Sequence, residues 1–406
     1  MQELHGKKIL LGLTGGIAGY KAAELLRLLT KAGASVQVMM SQAACQFITP
    51  VTMQALSGQA VVTDQWDARP ANNMAHINLG REVDGIVIAP ASADFIAKLA
   101  QGRSDEIVSL TCLARPAGTP LLLAPAMNRE MWAHPATQRN LAQAVADGAQ
   151  SLGVGCGEQA CGEFGDGRML EADEIYADIV AALSPKVLAG TKLLITAGPT
   201  YEAIDPVRGI TNRSSGKMGY AIAQAAREAG AEVILVSGPV ALPCPRGVRR
   251  LSVQSAQEML AAVQAEVAGC AIFIAAAAVA DWRVANAASQ KLKKDGSGRP
   301  PALEFTENPD ILATIAASAA AQSGQLYCVG FAAESENLEA HAKAKRARKG
   351  VPLLVGNIGP ATFGQDDNAL LLVDETGSRE LPRASKRQLA QQLLAEIAQH
   401  MPSLKN

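Results

Sequence analysis

Two stretches decide the fold of this chain, Lys8-Ile-Leu-Leu-Gly-Leu-Thr-Gly-Gly16 and Lys192-Leu-Leu-Ile-Thr-Ala-Gly-Pro199. Each is a short apolar run that stops at a glycine turn, which is the pattern of a buried strand leading into a helix. Each is followed by a helix-like stretch that closes at Ala-Gly-Ala and by a second apolar run, Val36–Met40 or Val233–Val236. Two such starts predict an α/β protein with two doubly wound, Rossmann-like domains.

The pattern is interrupted once between the two starts. A helix predicted at Ala172–Leu183 is followed by Ser184-Pro185-Lys186, a composition typical of a linker. We therefore predict domains at residues 1–188 and 189–406. Further strands and a final helix are predicted at Gly85–Ala89, Pro120–Ala124, Cys270–Ala276, Leu326–Phe331, Pro352–Val355, Ala369–Val373 and Ser385–His400. Ligands of such sheets bind at the carboxyl ends of the strands.

The composition is typical of a protein that acts on small molecules. The chain has 406 residues, of which 49% are hydrophobic, 18% charged and 4% aromatic, and its formal net charge is −1. Because there is no basic surface field, neither nucleic acid nor a membrane is an expected partner. The apolar run of the N-terminus is too short to span a membrane, and the seven cysteines include no C-x-x-C pair. We expect a cytoplasmic protein without a disulfide framework or a zinc site.

Polar residues follow three predicted strands of the first domain. Thr14-Gly15-Gly16 follows the first strand, Ser41 the second, and Ala91-Ser92 a later one. The glycine turn opens a helix whose N-terminus favours an anion, although a tight turn without a ligand has the same sequence. Because these strand ends converge on one crevice, we interpret this edge as a candidate phosphate site.

Three further residues of the first domain carry chemistry. His76 stands alone, as surface and buried structural histidines usually do. Asn128 follows a strand and either caps the next helix or binds a carboxylate. Cys161 lies in the glycine-rich segment Gly153–Met169, which we expect to form no regular element and to close over a ligand as a flap. A thiol on a flap is a candidate proton donor.

The second domain contains an insertion and two basic clusters. The segment from Lys192 to Ala229 is 13 residues longer than its counterpart in the first domain, and the added residues form a polar loop around Tyr201–Arg213. Asn212 and Ser214-Ser-Gly-Lys217 precede a helix without the glycine spacing of a P-loop, so phosphate binding and a plain helix cap are both open. Lys291-Leu-Lys-Lys294 and the basic run at 343–349 are either solvated or clamp a triphosphate.

Four motifs of the first domain occur together in one family. They are Thr14–Ala18, Met74–Ile77, Pro125–Trp132 and Ala160–Met169. On these motifs the domain resembles the homo-oligomeric flavin-containing cysteine decarboxylases. The resemblance implies a flavodoxin-like flavoprotein that uses FMN to decarboxylate 4′-phosphopantothenoylcysteine.

The same resemblance implies roles for individual residues. His76 would assist oxidation and decarboxylation, Asn128 would bind the substrate carboxylate, and Cys161 would donate the proton that completes the reaction. FMN would be bound by residues of the strand ends, namely Gly15, Ile17, Ser41, Ala91 and Ser92.

The second domain resembles the phosphopantothenate–cysteine ligases along nearly its whole length. The motifs are Thr196–Thr200, Asp205–Arg208, Asn212–Gly219, Ala276–Asp281, Asn308–Ile311 and Gly330–Glu334. The resemblance implies activation of 4′-phosphopantothenate by CTP and Mg²⁺ to an acyl-cytidylate, which the cysteine amine attacks. Residues expected to bind CTP are Asp281, Lys291, Pro309, Asp310, Ile311, Leu312, Phe331, Lys345 and Lys349.

Three residues of the second domain have further implied roles. Lys291 would stabilise charge during activation, Asn212 would hold the intermediate, and Arg208 would bind the substrate phosphate or carboxylate. The magnesium ligands are not assigned. Ile358 departs from the acid that relatives usually carry there, which puts contacts near Asn357 in doubt.

The whole chain resembles the bacterial bifunctional phosphopantothenoylcysteine decarboxylase/phosphopantothenate–cysteine ligases of coenzyme A synthesis, which implies a homo-oligomer. Two alternatives differ in class. One is a regulatory flavoprotein fused to a nucleotide-binding module, against which the retained Cys161 argues. The other is a flavin decarboxylase that acts on the terminal cysteine of a ribosomal peptide, for which the second domain would be superfluous.

Overall fold

The chain forms two compact units, Met1–Ser184 and Pro185–Asn406, in a computed structural model. The structure describes residues 3–66, 74–293, 301–334, 337–358 and 364–401. The division falls at the Ser184-Pro185 step of the predicted linker. Each unit is an α/β sandwich, which confirms the predicted fold class.

The first unit is built on a five-stranded parallel sheet in the order β2-β1-β3-β4-β5. Its strands are β1 (Lys8–Leu13), β2 (Ser35–Met40), β3 (Gly85–Ala91), β4 (Leu121–Pro125) and β5 (Ala149–Ser151). Its helices are α1 (Gly19–Lys31), α2 (Pro50–Ser57), α3 (Ala75–Arg81), α4 (Ala93–Ala100), α5 (Ile107–Leu113), α6 (Arg129–Ala133), α7 (Pro135–Ala146) and α8 (Ala172–Leu183). The predicted apolar runs of this half therefore form the central strands.

Burial on both faces explains why these strands are continuous apolar runs. Successive residues of β1 point to opposite faces of the sheet. Leu11 packs in one core cluster with Leu25 of α1, whereas Leu10 packs in the other with Phe95 of α4. A parallel sheet that is covered by helices on both sides has no solvated face, so its strands show no alternation of polar residues.

The second unit contains an eight-stranded sheet in the order β12-β11-β8-β13-β16-β17-β18-β19. The first six strands are parallel and the last two pairings are antiparallel. The strands are β8 (Lys192–Ala197), β11 (Glu232–Ser237), β12 (Val248–Ser252), β13 (Ile272–Ala275), β16 (Tyr327–Glu334), β17 (Leu353–Ile358), β18 (Asp367–Val373) and β19 (Ser378–Ser385). Numbered within the unit, the parallel strands have the Rossmann order 3-2-1-4-5-6.

Helices and two small hairpins complete the second unit. The helices are α9 (Lys217–Glu228), α10 (Ala256–Glu266), α11 (Ile311–Ala316), α12 (Ala319–Gln322), α13 (Leu338–Lys349) and α14 (Lys386–His400). The hairpin β9 (Tyr201–Ala203) with β10 (Gly209–Thr211) lies in the inserted segment, and β14 (Trp282–Val284) pairs with β15 (Phe305–Glu307). The insertion that was expected to be a polar loop is thus partly a β-ribbon.

The prediction that residues 153–169 form no regular element is wrong. They form an antiparallel hairpin, β6 (Gly155–Glu158) with β7 (Phe164–Arg168). Backbone hydrogen bonds hold such a ribbon regardless of side-chain size. Gly167 is also required by a close contact, because its φ is +126° and a Cβ there would lie 2.6 Å from the Met127 carbonyl oxygen.

Two absences concern the part of the chain that the structure covers. Within the described ranges, no helix is long and apolar enough to cross a membrane. All seven cysteines lie in those ranges and are free thiols, as expected from their spacing.

Candidate functional site

The first candidate site lies where the strand order of the first sheet reverses, between β1 and β3. Thr14 Oγ1 donates a hydrogen bond to the Pro90 carbonyl oxygen at 2.7 Å and accepts one from the Ser92 amide at 2.9 Å. One buried hydroxyl therefore ties the carboxyl ends of both strands together. From the sequence, Thr14 is predicted only as part of a turn. A polar residue directly after a buried strand is the sequence feature that indicates such a contact between strand ends.

The predicted FMN residues surround this crevice. A Cβ at Gly15 would lie 2.7 Å from Cβ of Ala43, so only glycine lets the turn approach the segment after β2. Ser41 Oγ accepts a hydrogen bond from the Ala44 amide at 3.1 Å. Ser92 Oγ caps α4 by accepting one from the Phe95 amide at 3.2 Å. These side chains shape the crevice, and hydroxyls engaged as acceptors keep a proton to donate.

The two remaining predicted FMN residues differ in exposure. Ile17 is 62% exposed at the start of α1, whereas Ala91 is fully buried at the end of β3. The Ala91 carbonyl oxygen accepts a hydrogen bond from the Ala126 amide at 3.1 Å, which joins the end of β3 to the segment after β4. Ala91 is therefore placed to contribute backbone, and Ile17 an apolar surface at the mouth.

Asn128 and Cys161 lie together at the end of β4. Asn128 is the N-cap of α6, because its Oδ1 accepts a hydrogen bond from the Glu130 amide at 2.8 Å. The same residue points its Nδ2 at the β6–β7 hairpin, 3.5 Å from Sγ of Cys161. The two readings of Asn128 left open by the sequence are thus compatible, since the cap uses the oxygen and leaves the amide NH₂ group for a ligand.

Two residues of the hairpin that the sequence analysis did not single out hold this arrangement. Gln159 Oε1 accepts hydrogen bonds from the Arg129 amide at 3.0 Å and from Asn128 Nδ2 at 3.3 Å. Glu163 Oε2 accepts one from Asn128 Nδ2 at 2.5 Å and lies 3.6 Å from Sγ of Cys161. Both residues are distant from Asn128 in sequence, so spacing gave no signal of these contacts.

His76 lies in the first turn of α3 and is half-buried. Its Nδ1 is buried and has no hydrogen-bond partner within the described ranges. Among the residues described, no hydrogen bond joins His76 to Asn128 or Cys161. The structure thus brings together two of the three predicted catalytic residues of this half and leaves the third with an unsatisfied polar atom, a state that costs free energy unless a ligand or partner supplies the bond.

The second candidate site lies at the corresponding reversal in the second sheet, between β8 and β13. Gly198 and Gly216 both have φ of +75°, and a Cβ at Gly216 would lie 3.3 Å from Cα of Gly198. Gly219 in the first turn of α9 leaves room for β8, since a Cβ there would lie 2.5 Å from Cβ of Ala197. Close helix–strand packing behind a glycine turn presents the helix N-terminus to an anion, and the exposed Asn212 lies just before it.

The β9–β10 ribbon holds the basic loop that contains Lys291. Asp205 is buried and accepts hydrogen bonds from the Arg208 guanidinium at 2.5 Å and from the Leu292 amide at 3.1 Å. The Arg208 guanidinium also donates to the Leu292 carbonyl oxygen at 2.7 Å. This guanidinium, together with backbone amides, keeps the pKa of the Asp205 carboxyl well below its usual range. Arg208 thus has a structural contact, and its binding of substrate stays a prediction.

A cluster of predicted CTP residues forms at the carboxyl ends of β13 and β16. Asn308 joins the two loops concerned, because its Nδ2 donates to the Ala280 carbonyl oxygen at 2.8 Å and its amide donates to the Asp281 carbonyl oxygen at 2.8 Å. Lys349 at the end of α13 forms an ion pair with Asp310, the N-cap of α11. Burial lowers the pKa of Lys349, and the nearby Asp281 charge opposes that shift.

The other predicted CTP residues occupy different positions. Ile311 and Leu312 begin α11 and are buried in the core. Pro309 and Phe331 are partly buried. Lys345 lies one helical turn before Lys349 on α13. Lys291 is exposed. Lys294 and the side chain of Ile358 lie outside the described residues. The structure therefore unites Asp281, Asp310 and Lys349, and it gives no contact between them and Lys291 within the ranges it covers.

The fold and these two sites define a two-domain α/β enzyme in which a flavodoxin-like unit with a thiol-bearing hairpin precedes a Rossmann-type unit with a basic, anion-attracting edge. Residues 1–184 match the Flavoprotein family, and residues 188–401 match the DNA/pantothenate metabolism flavoprotein C-terminal domain. Relatives that match this chain over its full length confirm that the two units occur together in one chain.

The coenzyme A biosynthesis bifunctional protein CoaBC of Vibrio cholerae is 47% identical over 404 residues, which cover 99% of this chain and all of the relative. The protein of the same name from Escherichia coli K12 is 47% identical, with 97% of each chain covered. A crystal structure of the C-terminal domain of a CoaBC protein covers 54% of this chain and 99% of its own, with a TM-score of 0.46 and 38% identity.

The chain belongs to the family of coenzyme A biosynthesis bifunctional proteins. The prediction of a bifunctional decarboxylase and ligase of coenzyme A biosynthesis is thereby confirmed at the level of the family. The roles of individual residues are a separate matter and are proposals.

Proposed function

We propose that residues 189–406 join 4′-phosphopantothenate to L-cysteine at the expense of CTP, and that residues 1–188 decarboxylate the resulting 4′-phosphopantothenoylcysteine to 4′-phosphopantetheine with FMN. The observation that carries the proposal is the contact between the Asn128 amide and the Cys161 thiol, which lie 3.5 Å apart. Cys161 is in the turn of the glycine-rich β6–β7 hairpin, and Asn128 faces that turn. A carboxylate-binding group and a proton donor at one place are what a decarboxylation followed by protonation requires.

The crevice between β1 and β3 fits FMN. Gly15 keeps the turn free of side-chain atoms, and α1 begins just beyond it, so backbone amides face the position of a phosphate. Ser41 and Ser92 supply hydroxyls around that position, Thr14 holds the two strand ends together, and the exposed Ile17 offers an apolar surface to a flavin ring. When bound, FMN supplies the oxidation and the later reduction of the cysteine moiety that make loss of CO₂ possible.

The residues of the chain then have distinct tasks in the decarboxylase half. Asn128 is oriented by its cap hydrogen bond, so its Nδ2 faces the β6–β7 hairpin and can bind the substrate carboxylate beside Cys161. Cys161 lies beside that carboxylate on a hairpin and donates a proton to the carbon skeleton once CO₂ has left. His76, whose Nδ1 lacks a partner in the described chain, holds or accepts a proton at that nitrogen when substrate is bound.

The ligase half has the charge distribution that a nucleoside triphosphate requires. CTP enters as its Mg²⁺ complex, and its phosphates meet Lys291, Lys345 and Lys349. The glycine turn before α9 receives the reacting phosphate or carboxylate, and Asn212 beside it holds the acyl-cytidylate while the cysteine amine attacks. Pyrophosphate and then CMP leave, and the new amide is the substrate of the first half.

Two expectations remain predictions. The N-terminal run and the cysteine spacing favour a cytoplasmic location, and the family resemblance implies a homo-oligomer in which a subunit contact completes the FMN site. The unsatisfied Nδ1 of His76 is consistent with a partner from outside the described chain. Sedimentation of the purified protein, with and without FMN, measures the oligomeric state directly.

The test follows both reactions at once in the purified yellow protein. With 4′-phosphopantothenate, L-cysteine, CTP and Mg²⁺, the wild-type enzyme should release pyrophosphate and CO₂. Cys161→Ser should keep pyrophosphate release and make little 4′-phosphopantetheine. Cys156→Ser is the matched control, because Cys156 is an exposed thiol on the same hairpin that bonds to Asp166 and not to Asn128. If the wild-type protein releases neither product, a peptide with a C-terminal cysteine is supplied instead. Release of CO₂ from that peptide would favour the peptide decarboxylase, and no release would favour the regulatory flavoprotein.

A further inference from the structure

Glu163 places a carboxylate of the chain on the amide that binds the substrate carboxylate in the proposed function. Its Oε2 accepts a hydrogen bond from Nδ2 of Asn128 at 2.5 Å and lies 3.6 Å from Sγ of Cys161. The carboxylate thus touches both groups that the decarboxylation uses. A substrate carboxylate cannot occupy the same place, because two anions on one neutral amide repel each other.

Asn128 does not need Glu163 to keep its position. Its Oδ1 is fixed by the Glu130 amide, and Gln159 Oε1 accepts a second hydrogen bond from Nδ2 at 3.3 Å. Gln159 is itself anchored, since its Nε2 donates to the carbonyl oxygens of Met127 and Asp166 at 3.4 and 3.2 Å. Removing the Glu163 carboxylate therefore leaves the Asn128 amide in place, held by Gln159, with its other N–H group free for the substrate carboxylate.

The Glu163 side chain can leave without unfolding the hairpin. The Glu163 carbonyl oxygen accepts a hydrogen bond from the Gln159 amide at 2.7 Å, which closes the turn through the backbone. The side chain is exposed, so rotation about its own bonds carries the carboxylate into solvent. The backbone that carries Cys161 need not move for this to happen.

We propose that Glu163 is a resident competitor: its carboxylate occupies the substrate-carboxylate position of the free enzyme, and the substrate displaces it. The inference rests on the proposed decarboxylase function. The product has lost its carboxylate, so Glu163 returns to Asn128 when CO₂ has left. Glu163 therefore weakens binding of the carboxylated substrate, has no such effect on the product, and sets the ratio of the two affinities.

The experiment compares the KM for 4′-phosphopantothenoylcysteine with the Ki of 4′-phosphopantetheine in the full-length, FMN-loaded protein. Glu163→Ala should lower the substrate KM by about tenfold, the factor for one net hydrogen bond of ordinary strength, and leave the product Ki within about twofold. Glu163→Gln should shift KM in the same direction by less, because a neutral amide oxygen is a weaker acceptor. Glu158→Gln, an exposed carboxylate on β6 of the same hairpin, should change neither constant.

A second readout does not depend on turnover. The Cys161 thiol of Glu163→Ala should react faster with iodoacetamide than that of the wild type at the same pH, because the carboxylate 3.6 Å from its sulfur no longer occupies the space beside the thiol.

The possible outcomes distinguish a failure of the Glu163 proposal from a failure of the proposed decarboxylase function. If the wild-type protein releases CO₂ but Glu163→Ala keeps the wild-type ratio of KM to Ki, Glu163 is no competitor. A raised KM or a collapsed kcat in Glu163→Ala would instead make Glu163 part of the binding or catalytic machinery and would also overturn the inference. If the wild-type protein releases no CO₂, the proposed function itself fails, and unchanged Cys161 reactivity would then reject the Glu163 contact independently.

Discussion

Lys349→Gln tests the basic edge of the ligase half. Lys349 ends α13, its side chain is 13% exposed, and it pairs with Asp310 while lying near the Asp281 charge. A lysine between two carboxylates is the cation that allows a triphosphate to approach them. The substitution keeps a polar side chain and removes the charge. The two carboxylates then face the phosphates without compensation.

The magnitude follows from the lost contact. A hydrogen bond to a charged group contributes about 1.5–3 kcal/mol, and 1.4 kcal/mol corresponds to a factor of ten in affinity. The KM for CTP should therefore rise by roughly 10- to 150-fold. The upper end is favoured because Asp281 and Asp310 lose their cation and repel the nucleotide. The KM for L-cysteine should stay close to the wild-type value, since the amine attacks after the nucleotide is bound.

The assay is pyrophosphate release at varied CTP with the other substrates saturating. Lys343→Gln is the matched control, because Lys343 is on the same helix but is exposed and paired only with Glu339 one turn away. The control should leave the KM for CTP unchanged. Equal effects of the two substitutions would show that the general field of α13 matters and not the Lys349–Asp310 pair. An unchanged KM in Lys349→Gln would refute the placement of CTP at this cluster.

Three further predictions concern pH, packing and the base of the hairpin. Because burial lowers the pKa of Lys349, its charge is lost as pH rises through that lowered value, and the KM for CTP should begin to rise at a lower pH than with an ordinary lysine. Lys349→Arg, which stays charged, should flatten this rise. An unchanged pH profile in Lys349→Arg would reject the assignment. Gly219→Ala puts a Cβ 2.5 Å from Cβ of Ala197, and hydrogen exchange should therefore show α9 destabilised by about 1–2 kcal/mol, which is the cost of overpacking less the gain in helix propensity. The control Gly19→Ala, whose Cβ has its nearest contact at 3.5 Å, should be neutral or stabilising. Lys21→Met removes a buried ammonium that donates to the Met169 carbonyl oxygen at 3.0 Å, so CO₂ release should fall while pyrophosphate release persists. Chemical denaturation should show the first unit less stable by roughly 1–3 kcal/mol. Equal loss of both activities would contradict this prediction.

The sheets could be predicted from sequence because their strands are buried on both faces. A strand such as Lys8–Leu13 or Gly85–Ala89 is a local apolar run, and its bounds in the structure agree with the prediction to within two residues. The helix Ala172–Leu183 is reproduced at both ends, because the Ser184-Pro185 step after it is also local. Strand order follows less directly, since it depends on which of several similar runs pair.

The hairpin at residues 153–169 could not be predicted for a physical reason. Glycines remove the side-chain alternation from which a strand is read, yet they leave the ladder hydrogen bonds intact. Gly167 is needed because the Met127 carbonyl oxygen occupies the space of the missing Cβ atom. This contact joins residues about 40 positions apart in sequence, and no local pattern indicates it.

Residues proposed for chemistry are easier to predict from sequence than the residues that position them, and the two units show why. Cys161 and Lys291 are reactive side chains on segments that depend on remote anchors. Gln159 fixes the first segment to the backbone around Met127 and Arg129. Asp205 accepts from the Leu292 amide and Arg208 donates to the Leu292 carbonyl oxygen, which fixes the second segment. A reactive residue is visible in a motif because its chemistry constrains its type. An anchor is constrained only by the geometry of backbone groups that it reaches across the fold, so its function becomes visible when the structure shows which groups it holds.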